Sequence, residues 1–324
     1  MDEAIINFPA QFAYEPEIEN EAKLKACDSF ILAGMGGSHL AAGILKTVLA
    51  DLDLSIHRDY GLPEINKKKQ KHELLIAASY SGNTEEVVDF MEKAIENKLN
   101  IAAVATGGKL LDIAEQNEIP FIKLPDTGIQ PRSALGYATK AIAKLINNGE
   151  LMDKFRQLKE KIDVKKNQEE GKKLAVNLIG KIPVIYSSLK NESVSYNWKI
   201  KFNETGKIPA FYNVFPELNH NEMIGFDWNE KSKDLSAKFH FIFLKDSGDH
   251  PRIARRMDVC EKLFESKGFP VTAITMFGEE ILDKIFNSLV LADWTAYYIA
   301  LQNGADPEQV PMVEEFKKIC LKNF

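Results

Sequence analysis

The segment Ser79–Glu86, with the sequence SYSGNTEE, carries three serine and threonine hydroxyls between an apolar run and a segment with helical patterning. A turn from a strand into a helix directs free backbone N–H groups and the positive end of the helix dipole toward one point, which favours an anion. The turn contains no lysine or arginine. We therefore expect the hydroxyls of Ser79, Ser81 and Thr84 to hold a phosphate, as on a sugar, rather than a nucleotide polyphosphate. An ordinary helix N-cap at Thr84 is the alternative interpretation.

A second, glycine-rich turn has similar chemistry. Gly36-Gly37-Ser38 also follows an apolar run and precedes a helical pattern. Ligands of open parallel sheets bind at the carboxyl ends of the strands, so the two turns could flank one phosphate ester. The spacing of the glycines is not GxGxxG, and no acidic residue is well placed to bind a ribose. A dinucleotide is therefore the weaker alternative.

Arg132 is a candidate for binding negative charge on the ligand. It lies between the fifth predicted strand and the helix that follows, directly after Pro131. Because the proline ring fixes the backbone, the guanidinium has a defined direction and could meet an anion or a developing oxyanion. An arginine on the surface, or one at the start of a helix, is the alternative.

Two acid–base candidates lie in the second half of the chain. Glu204 directly follows a predicted helix, Ser193–Asn203, that carries Trp198. The helix dipole disfavours a carboxylate at this end, so Glu204 needs another reason to be there, and a general base is one. His220 stands in an irregular segment among hydrogen-bonding residues, where it could be a working or a structural histidine. Glu217 and Glu222 could orient His220 or could simply be solvated.

The composition argues against several classes of function. The 324 residues are 45% hydrophobic and 27% charged, which is typical of a globular chain long enough for two domains. The net charge of −6 argues against nucleic acid as the main partner, and we expect the run Lys67-Lys68-Lys69 on a solvated surface. Three cysteines without a CxxC pair argue against a zinc site or a disulfide framework. With no apolar run long enough to cross a membrane and no signal-peptide pattern, we expect a soluble, cytoplasmic protein.

Apolar runs alternate with helical patterns along the chain, and the alternation restarts after a charged helical segment at 150–178. This pattern predicts the α/β class, with two tandem domains that each contain a parallel sheet. We place these domains at residues 1–152 and 153–324. The predicted strands are Phe30–Ala33, Leu54–Asp59, Leu74–Ala78, Ile101–Ala105 and Pro120–Leu124 in the first domain, and Pro183–Ser187, Pro209–Val214, Phe239–Leu244 and Pro270–Met276 in the second.

Four stretches of the chain resemble one enzyme family. They are GMGGSH at 34–39, SYSGNTEEV at 79–87, QPR at 130–132 and NWKIKFNETGKIPAFYNVFPELNHNEMIGF at 197–226. Together they are similar to the bifunctional phosphoglucose/phosphomannose isomerases of the sugar-isomerase (SIS) superfamily, and the similarity covers nearly the whole chain in order. The resemblance implies two SIS domains, each a flavodoxin-like parallel sheet sandwiched by helices.

The resemblance also implies roles for the candidate residues. Glu204 would move a proton between C1 and C2 of the sugar, His220 would assist ring opening, and Arg132 would lie near the enediolate. Lys317, or its neighbour Lys318, would reach the region of the ring oxygen. The family further implies a homodimer with His220 crossing the interface, and a reaction that needs no metal and no cofactor. The residues that would hold the sugar phosphate are Gly37, Ser38, Ser79, Ser81 and Thr84.

The leading hypothesis is the interconversion of glucose 6-phosphate, and of mannose 6-phosphate, with fructose 6-phosphate by a metal-independent enediol proton transfer. One alternative is a SIS-domain regulator that binds sugar phosphate without catalysis, and another is an isomerase of a different phosphosugar. Two departures from the family pattern are small. His39 stands where the family often has a small residue and could crowd the phosphate loop. Thr205-Gly206 could loosen the segment beside Glu204.

Overall fold

The computed structural model describes residues 1–65, 70 and 72–322, so the predicted surface run Lys67-Lys68-Lys69 lies outside the described residues. The chain divides into two compact units. The first unit takes the described residues of 6–162 and 278–283, and the second unit takes those of 1–5, 163–277 and 284–324. The placement of the SIS domains at residues 1–152 and 153–324 stays a prediction.

Five parallel strands form the sheet of the first unit, in the order β2-β1-β3-β4-β5. The three central strands are buried along their whole length, because both faces of a parallel sheet are covered. This double burial explains why these strands read as nearly continuous apolar runs in the sequence. The strands are β1 (Ser29–Ala33), β2 (Asp53–His57), β3 (Glu73–Ala78), β4 (Ile101–Ala105) and β5 (Phe121–Lys123).

Four parallel strands form the sheet of the second unit, in the order β7-β6-β8-β9. Its core is aromatic: the buried rings of Tyr186, Phe241 and Phe264 pack together, with 4.3 Å between the ring centroids of Phe241 and Phe264. The two parallel sheets confirm the predicted α/β class. The strands are β6 (Ile182–Ser188), β7 (Phe211–Phe215), β8 (Phe239–Lys245) and β9 (Val271–Thr275).

Helices connect the strands in both units. The segment at 150–178, predicted as one charged connector, forms parts of two helices. Asp163 starts the second of them, because its side chain accepts a hydrogen bond from Lys166 N at 2.9 Å and caps the helix. The helices are α1 (Asp2–Ile6), α2 (Gly37–Val48), α3 (Glu85–Glu96), α4 (Gly108–Gln116), α5 (Leu135–Leu145), α6 (Gly149–Lys161), α7 (Val164–Asn177), α8 (Glu192–Glu204), α9 (Lys233–Ser236), α10 (Pro251–Ser266), α11 (Ile281–Gln302) and α12 (Pro311–Lys322).

The topology determines where the candidate loops lie. In the first unit, the glycine-rich turn runs from β1 into α2, and the hydroxyl-rich loop runs from β3 into α3, as predicted. Since β1 and β3 are parallel neighbours, both loops leave the same edge of the sheet. In the second unit, the corresponding connections run from β6 to α8 and from β8 to α10, and β6 and β8 are also parallel neighbours.

Candidate active site

The structure brings three of the predicted phosphate-binding hydroxyls together in the first unit. The Oγ atoms of Ser79 and Thr84 lie 2.8 Å apart, and Ser38 Oγ accepts a hydrogen bond from Tyr80 N at 3.0 Å. Thr84 occupies the N-cap position of α3, but its side chain makes no capping hydrogen bond to the helix. The alternative of an ordinary side-chain cap is therefore wrong, and the hydroxyl of Thr84 faces Ser79 instead. Ser81 is exposed, and its Oγ accepts from Asn83 N at 3.3 Å.

A third loop, which follows β4, holds the hydroxyl-rich loop in place. Thr106 donates to Tyr80 O through both its backbone N–H (2.9 Å) and its hydroxyl (2.8 Å). Gly82 adopts φ +69°, and a Cβ built on it would lie 1.7 Å from the carbonyl oxygen of Gly107. Only glycine fits such a close approach of two backbones. Sequence reasoning missed this contact, although Gly107-Gly108 directly after a predicted strand was a signal for a turn there.

Arg132 is buried beside the glycine-rich turn. It lies in a short 3₁₀ segment, Pro131–Ser133, with 2% of its surface exposed, and its Nη1 donates to Gln130 Oε1 at 3.4 Å. A Cβ on Gly37 would lie 2.8 Å from the carbonyl carbon of Pro131 and 2.9 Å from Arg132 N, so these two backbones touch. The interpretation of Arg132 as a surface residue is wrong. A buried guanidinium requires hydrogen bonds or an opposite charge, which is compatible with an anion-binding role.

These loops border one small cavity of about 10 Å³ in the first unit, and most of the side chains around it are apolar. The glycine-rich turn, the hydroxyl-rich loop and the segment at Pro131 all contribute to its wall. The backbone of α2 begins at Gly37 without a side-chain cap, as α3 does after Thr84. Two uncapped helix N-termini and a set of hydroxyls are a chemistry suited to phosphate.

His39 brings no positive charge to this pocket at neutral pH. Its side chain is buried on α2. Burial, with a smaller effect from the charge of Arg58, lowers the pKa of His39 to about 4. The imidazole is therefore neutral, and the phosphate loop keeps the hydrogen-bonding character that the sequence indicates.

Glu204 lies at the carboxyl end of α8 in the second unit, where it is half-buried. Lys207 Nζ donates to the carbonyl oxygen of Glu204. Thr205 is fully buried, and Gly206 N donates to Lys201 O at 3.1 Å. The departure from the family pattern at Thr205-Gly206 thus leaves this segment packed and hydrogen-bonded.

His220 ends a 3₁₀ segment, Glu217–His220, and is exposed to solvent. The neighbouring carboxylates, Glu217 and Glu222, stabilise the loop of His220 by accepting hydrogen bonds from other residues. Glu217 accepts from Asn221 Nδ2 at 2.7 Å, and Glu222 accepts from the buried hydroxyl of Tyr186 at 2.6 Å. Burial, with the charge of Glu222, raises the pKa of this tyrosine far above its ordinary value, so it remains a donor.

Lys317 lies on α12 and is exposed, with its Nζ 2.9 Å from Glu314 Oε1. Lys318 is exposed as well. The predicted site residues are therefore divided between the units. Arg132 and the phosphate-binding residues belong to the first unit, and Glu204, His220 and Lys317 belong to the second.

Within the described ranges 1–65, 70 and 72–322, no group of three or more His, Cys, Asp or Glu residues is placed to hold a metal ion. Over the same part of the chain, no helix has the length and hydrophobicity that a membrane crossing requires. Cys27, Cys260 and Cys320 are free thiols.

Two doubly wound parallel sheets, with hydroxyl side chains and glycine-rich turns at the strand ends of one of them, define a protein of the SIS class. A family model described as the bacterial phospho-glucose isomerase C-terminal SIS domain matches residues 167–319. The chain belongs to the bifunctional phosphoglucose/phosphomannose isomerase family. It is 33% identical to the protein of that name from Caldicellulosiruptor bescii, over 98% of both chains, and 33% identical to the one from Thermoplasma volcanium, over 91% of this chain and 92% of the relative.

Among solved structures, the fold is similar to that of a hypothetical protein from Thermus thermophilus. The TM-score is 0.74, and the match covers 99% of this chain and 90% of the other. The sequence identity is 14%, so this similarity concerns the fold alone.

Proposed function

We propose that this protein interconverts glucose 6-phosphate, and mannose 6-phosphate, with fructose 6-phosphate through an enediol intermediate, without a metal ion. The observation that carries the proposal is the set of hydroxyls and two uncapped helix N-termini at the carboxyl ends of β1 and β3, in a member of this isomerase family. The buried Arg132 follows Pro131, whose backbone lies against the glycine-rich turn. The hydroxyl-rich turn contains no lysine or arginine, and this chemistry suits a phosphate monoester better than a polyphosphate.

The first unit would bind the substrate through its phosphate. Ser38, Ser79 and Thr84 supply hydroxyls that can each donate one hydrogen bond, and Ser81 and Gly37 extend the set with a further hydroxyl and a backbone N–H. Anchoring one end of the sugar lowers the entropic cost of placing C1 and C2 for reaction. The neutral state of nearby His39 leaves the positive charge to Arg132.

The second unit would supply the acid–base groups. In the direction from aldose to ketose, Glu204 takes the proton from C2, the electron pair forms the C1–C2 double bond of the enediol, and the same carboxyl returns the proton to C1. A proton also moves from O2 to O1, so that the aldehyde at C1 becomes an alcohol and the alcohol at C2 becomes a ketone. The packed residues after Glu204 support this role, because they hold the end of α8 in a defined position. Arg132 would stabilise the negative charge of the enediolate.

Ring opening precedes the proton transfer, and we assign it to His220, with Lys317 near the ring oxygen. We further propose that the protein acts in the cytoplasm as a homodimer in which His220 reaches the partner's substrate. The exposure of His220 supports this. An apolar face on α12 also supports the homodimer, because an uncovered apolar face is typical of an interaction surface. On this face, Met312, Phe316 and Ile319 are 82%, 67% and 53% exposed.

The substitution Glu204→Gln tests the proposal, with Glu192→Gln as its matched control. Glu192 is the exposed first residue of the same helix. We expect Glu204→Gln to lower kcat by a factor on the order of 10² to 10⁴ or more, because the amide cannot accept the proton. Glu192→Gln should leave kcat unchanged. Rates come from a coupled assay for fructose 6-phosphate, and binding comes from calorimetry with the same sugar.

We expect fructose 6-phosphate to bind the Glu204→Gln variant with a Kd similar to that of the unaltered protein. Near-normal turnover by this variant would show that another group is the base. Binding without turnover by the unaltered protein would instead identify a sugar-phosphate regulator.

A further inference from the structure

The loop that follows β8 in the second unit corresponds to the hydroxyl-rich loop that follows β3 in the first. The first four strands of the five-stranded sheet, β2-β1-β3-β4, correspond in order to the four strands of the other sheet, β7-β6-β8-β9. Both loops carry a Ser-Gly pair at the same distance from the next helix, Ser81-Gly82 before Glu85 and Ser247-Gly248 before Pro251. Counted back from the helices, Asp246 takes the place of Tyr80.

The difference between the two loops is a buried carboxylate. The side chain of Asp246 is 0% exposed and accepts four hydrogen bonds. The donors are Lys190 Nζ (3.0 Å), Lys284 Nζ (2.8 Å), Gly248 N (2.9 Å) and Asn191 Nδ2 (3.4 Å). Lys190 and Asn191 come from the loop after β6, which is the counterpart of the glycine-rich turn after β1.

This set of donors is of the kind that binds phosphate. Two ammonium groups, a backbone N–H and a side-chain amide converge on the oxygens of one anion at the carboxyl ends of two parallel strands. A second carboxylate, Asp249, accepts from Ser188 Oγ and Asn191 Nδ2 beside it, so the polar side chains of the β6 loop are also engaged. Lys284 is 12% exposed and Lys190 is 42% exposed, so the carboxylate is buried while one of its two ammonium partners stays accessible to solvent.

We propose that Asp246 is an internal anion that occupies, in the second unit, the position at which the first unit takes a phosphate. The chain then binds one sugar phosphate, through the first unit, and the second unit holds its own carboxylate in the equivalent place. The part of this inference that concerns the first unit rests on the proposed function. The part that concerns Asp246 rests on the contacts in the second unit alone.

The test removes the carboxylate and supplies inorganic phosphate in its place. Asp246→Ala leaves Lys190, Lys284 and Gly248 N without their anion, and breaking a buried pair in this way should lower Tm by roughly 5–15 °C. We expect millimolar phosphate to restore roughly half of that loss or more, by binding the folded state, whereas chloride at equal ionic strength should not. The unaltered protein should gain no comparable stability at this site, because Asp246 fills it.

Two controls make the result specific. Asp293→Ala removes another buried carboxylate of the second unit. Asp293 lies on α11 and pairs with Lys201 on α8, with 2.6 Å between Lys201 Nζ and Asp293 Oδ1. This variant should lose stability, and phosphate should raise its Tm no more than it raises the Tm of the unaltered protein, because both keep the phosphate site proposed for the first unit. Asp246→Asn removes the charge but fills the same volume, so it should recover less than Asp246→Ala. If Asp246→Ala yields too little folded protein, Asp246→Ser is measured in the same way.

Recovery of Tm in phosphate by Asp246→Ala or Asp246→Ser alone would support the inference. Equal recovery by Asp293→Ala, or no recovery by a folded Asp246 variant, would overturn it. The readout of this test is stability, so it is independent of the turnover assay. If the unaltered protein has no isomerase activity but the Asp246→Ala variant still gains stability in phosphate, the proposed function is contradicted and the internal anion is supported.

Discussion

At the scale of single residues, burial determines which histidines carry charge. His240 lies on β8 and is buried, with its Nε2 2.8 Å from the hydroxyl of Thr272 on the neighbouring strand. Burial, with a smaller effect from the charge of Lys181, lowers the pKa of His240 to about 4. In the sequence, His240 shows no metal-ligand spacing, which indicates a structural or surface histidine. The sequence cannot show which, because the burial depends on strands that are distant in the chain.

This pKa predicts a loss of stability in acid. An unfolded histidine has a pKa of about 6.5, so the unfolded chain binds a proton at His240 before the folded chain does. The stability that His240 contributes is present above pH 6.5 and is lost as the pH falls toward 4, by at most roughly 3 kcal/mol. We expect His240→Gln to lose less stability over this range than the unaltered protein, in denaturant unfolding at a series of pH values.

The exposed His72 provides the control for this measurement. His72→Gln should follow the unaltered protein at every pH. The pKa of His39 is also about 4, so His39 lowers the free energy of unfolding in acid in both variants alike. Identical pH dependence of His240→Gln and the unaltered protein would contradict the assignment of a buried neutral imidazole.

At the scale of loops and helices, local patterns predicted the positions of the two candidate phosphate-binding turns but not the contacts between the loops. The strand, turn and helix around Ser79–Glu86 could be predicted, because apolar runs, glycine and hydroxyl residues act within a few positions. The fit of Gly82 against Gly107 could not, since it joins loops that follow two different strands. The break before α7 carried a local signal, Asp163 at an N-cap, but the surrounding charged pattern favoured one continuous helix.

The contact at Gly82 predicts a large difference between two glycine substitutions. Gly82 and Gly128 both adopt a positive φ, +69° and +70°, but a Cβ on Gly128 meets nothing within 4 Å. Gly128→Ala should therefore lower the free energy of unfolding by only about 1–2 kcal/mol, from backbone strain. Gly82→Ala should cost more, on the order of 3 kcal/mol or above, because the loop must also move away from Gly107.

Denaturant unfolding of the two variants measures this difference, and the coupled assay should show a fall in kcat/KM for Gly82→Ala only. Equal loss of stability in the two variants would contradict the close packing of these loops.

At the scale of the whole molecule, two units with matching strand order have different interiors and different chemistry. The first has largely aliphatic strands and a loop rich in hydroxyls after β3, and the second has an aromatic core and a carboxylate in the corresponding loop after β8. The sequence predicted both parallel sheets, because the apolar runs of buried strands are strong local signals. It did not predict that residues 278–283 belong to the first unit and residues 1–5 to the second. The unit that a short segment joins depends on its tertiary contacts, which the local sequence does not show.

The most direct test of the account uses the unaltered protein, with glucose 6-phosphate and mannose 6-phosphate in parallel assays that contain a metal chelator. We predict that fructose 6-phosphate forms from both sugars and that the rates do not change when the chelator is present. Formation from neither sugar, or activity that disappears with chelator and returns with added metal, would contradict the proposal of a metal-independent isomerase.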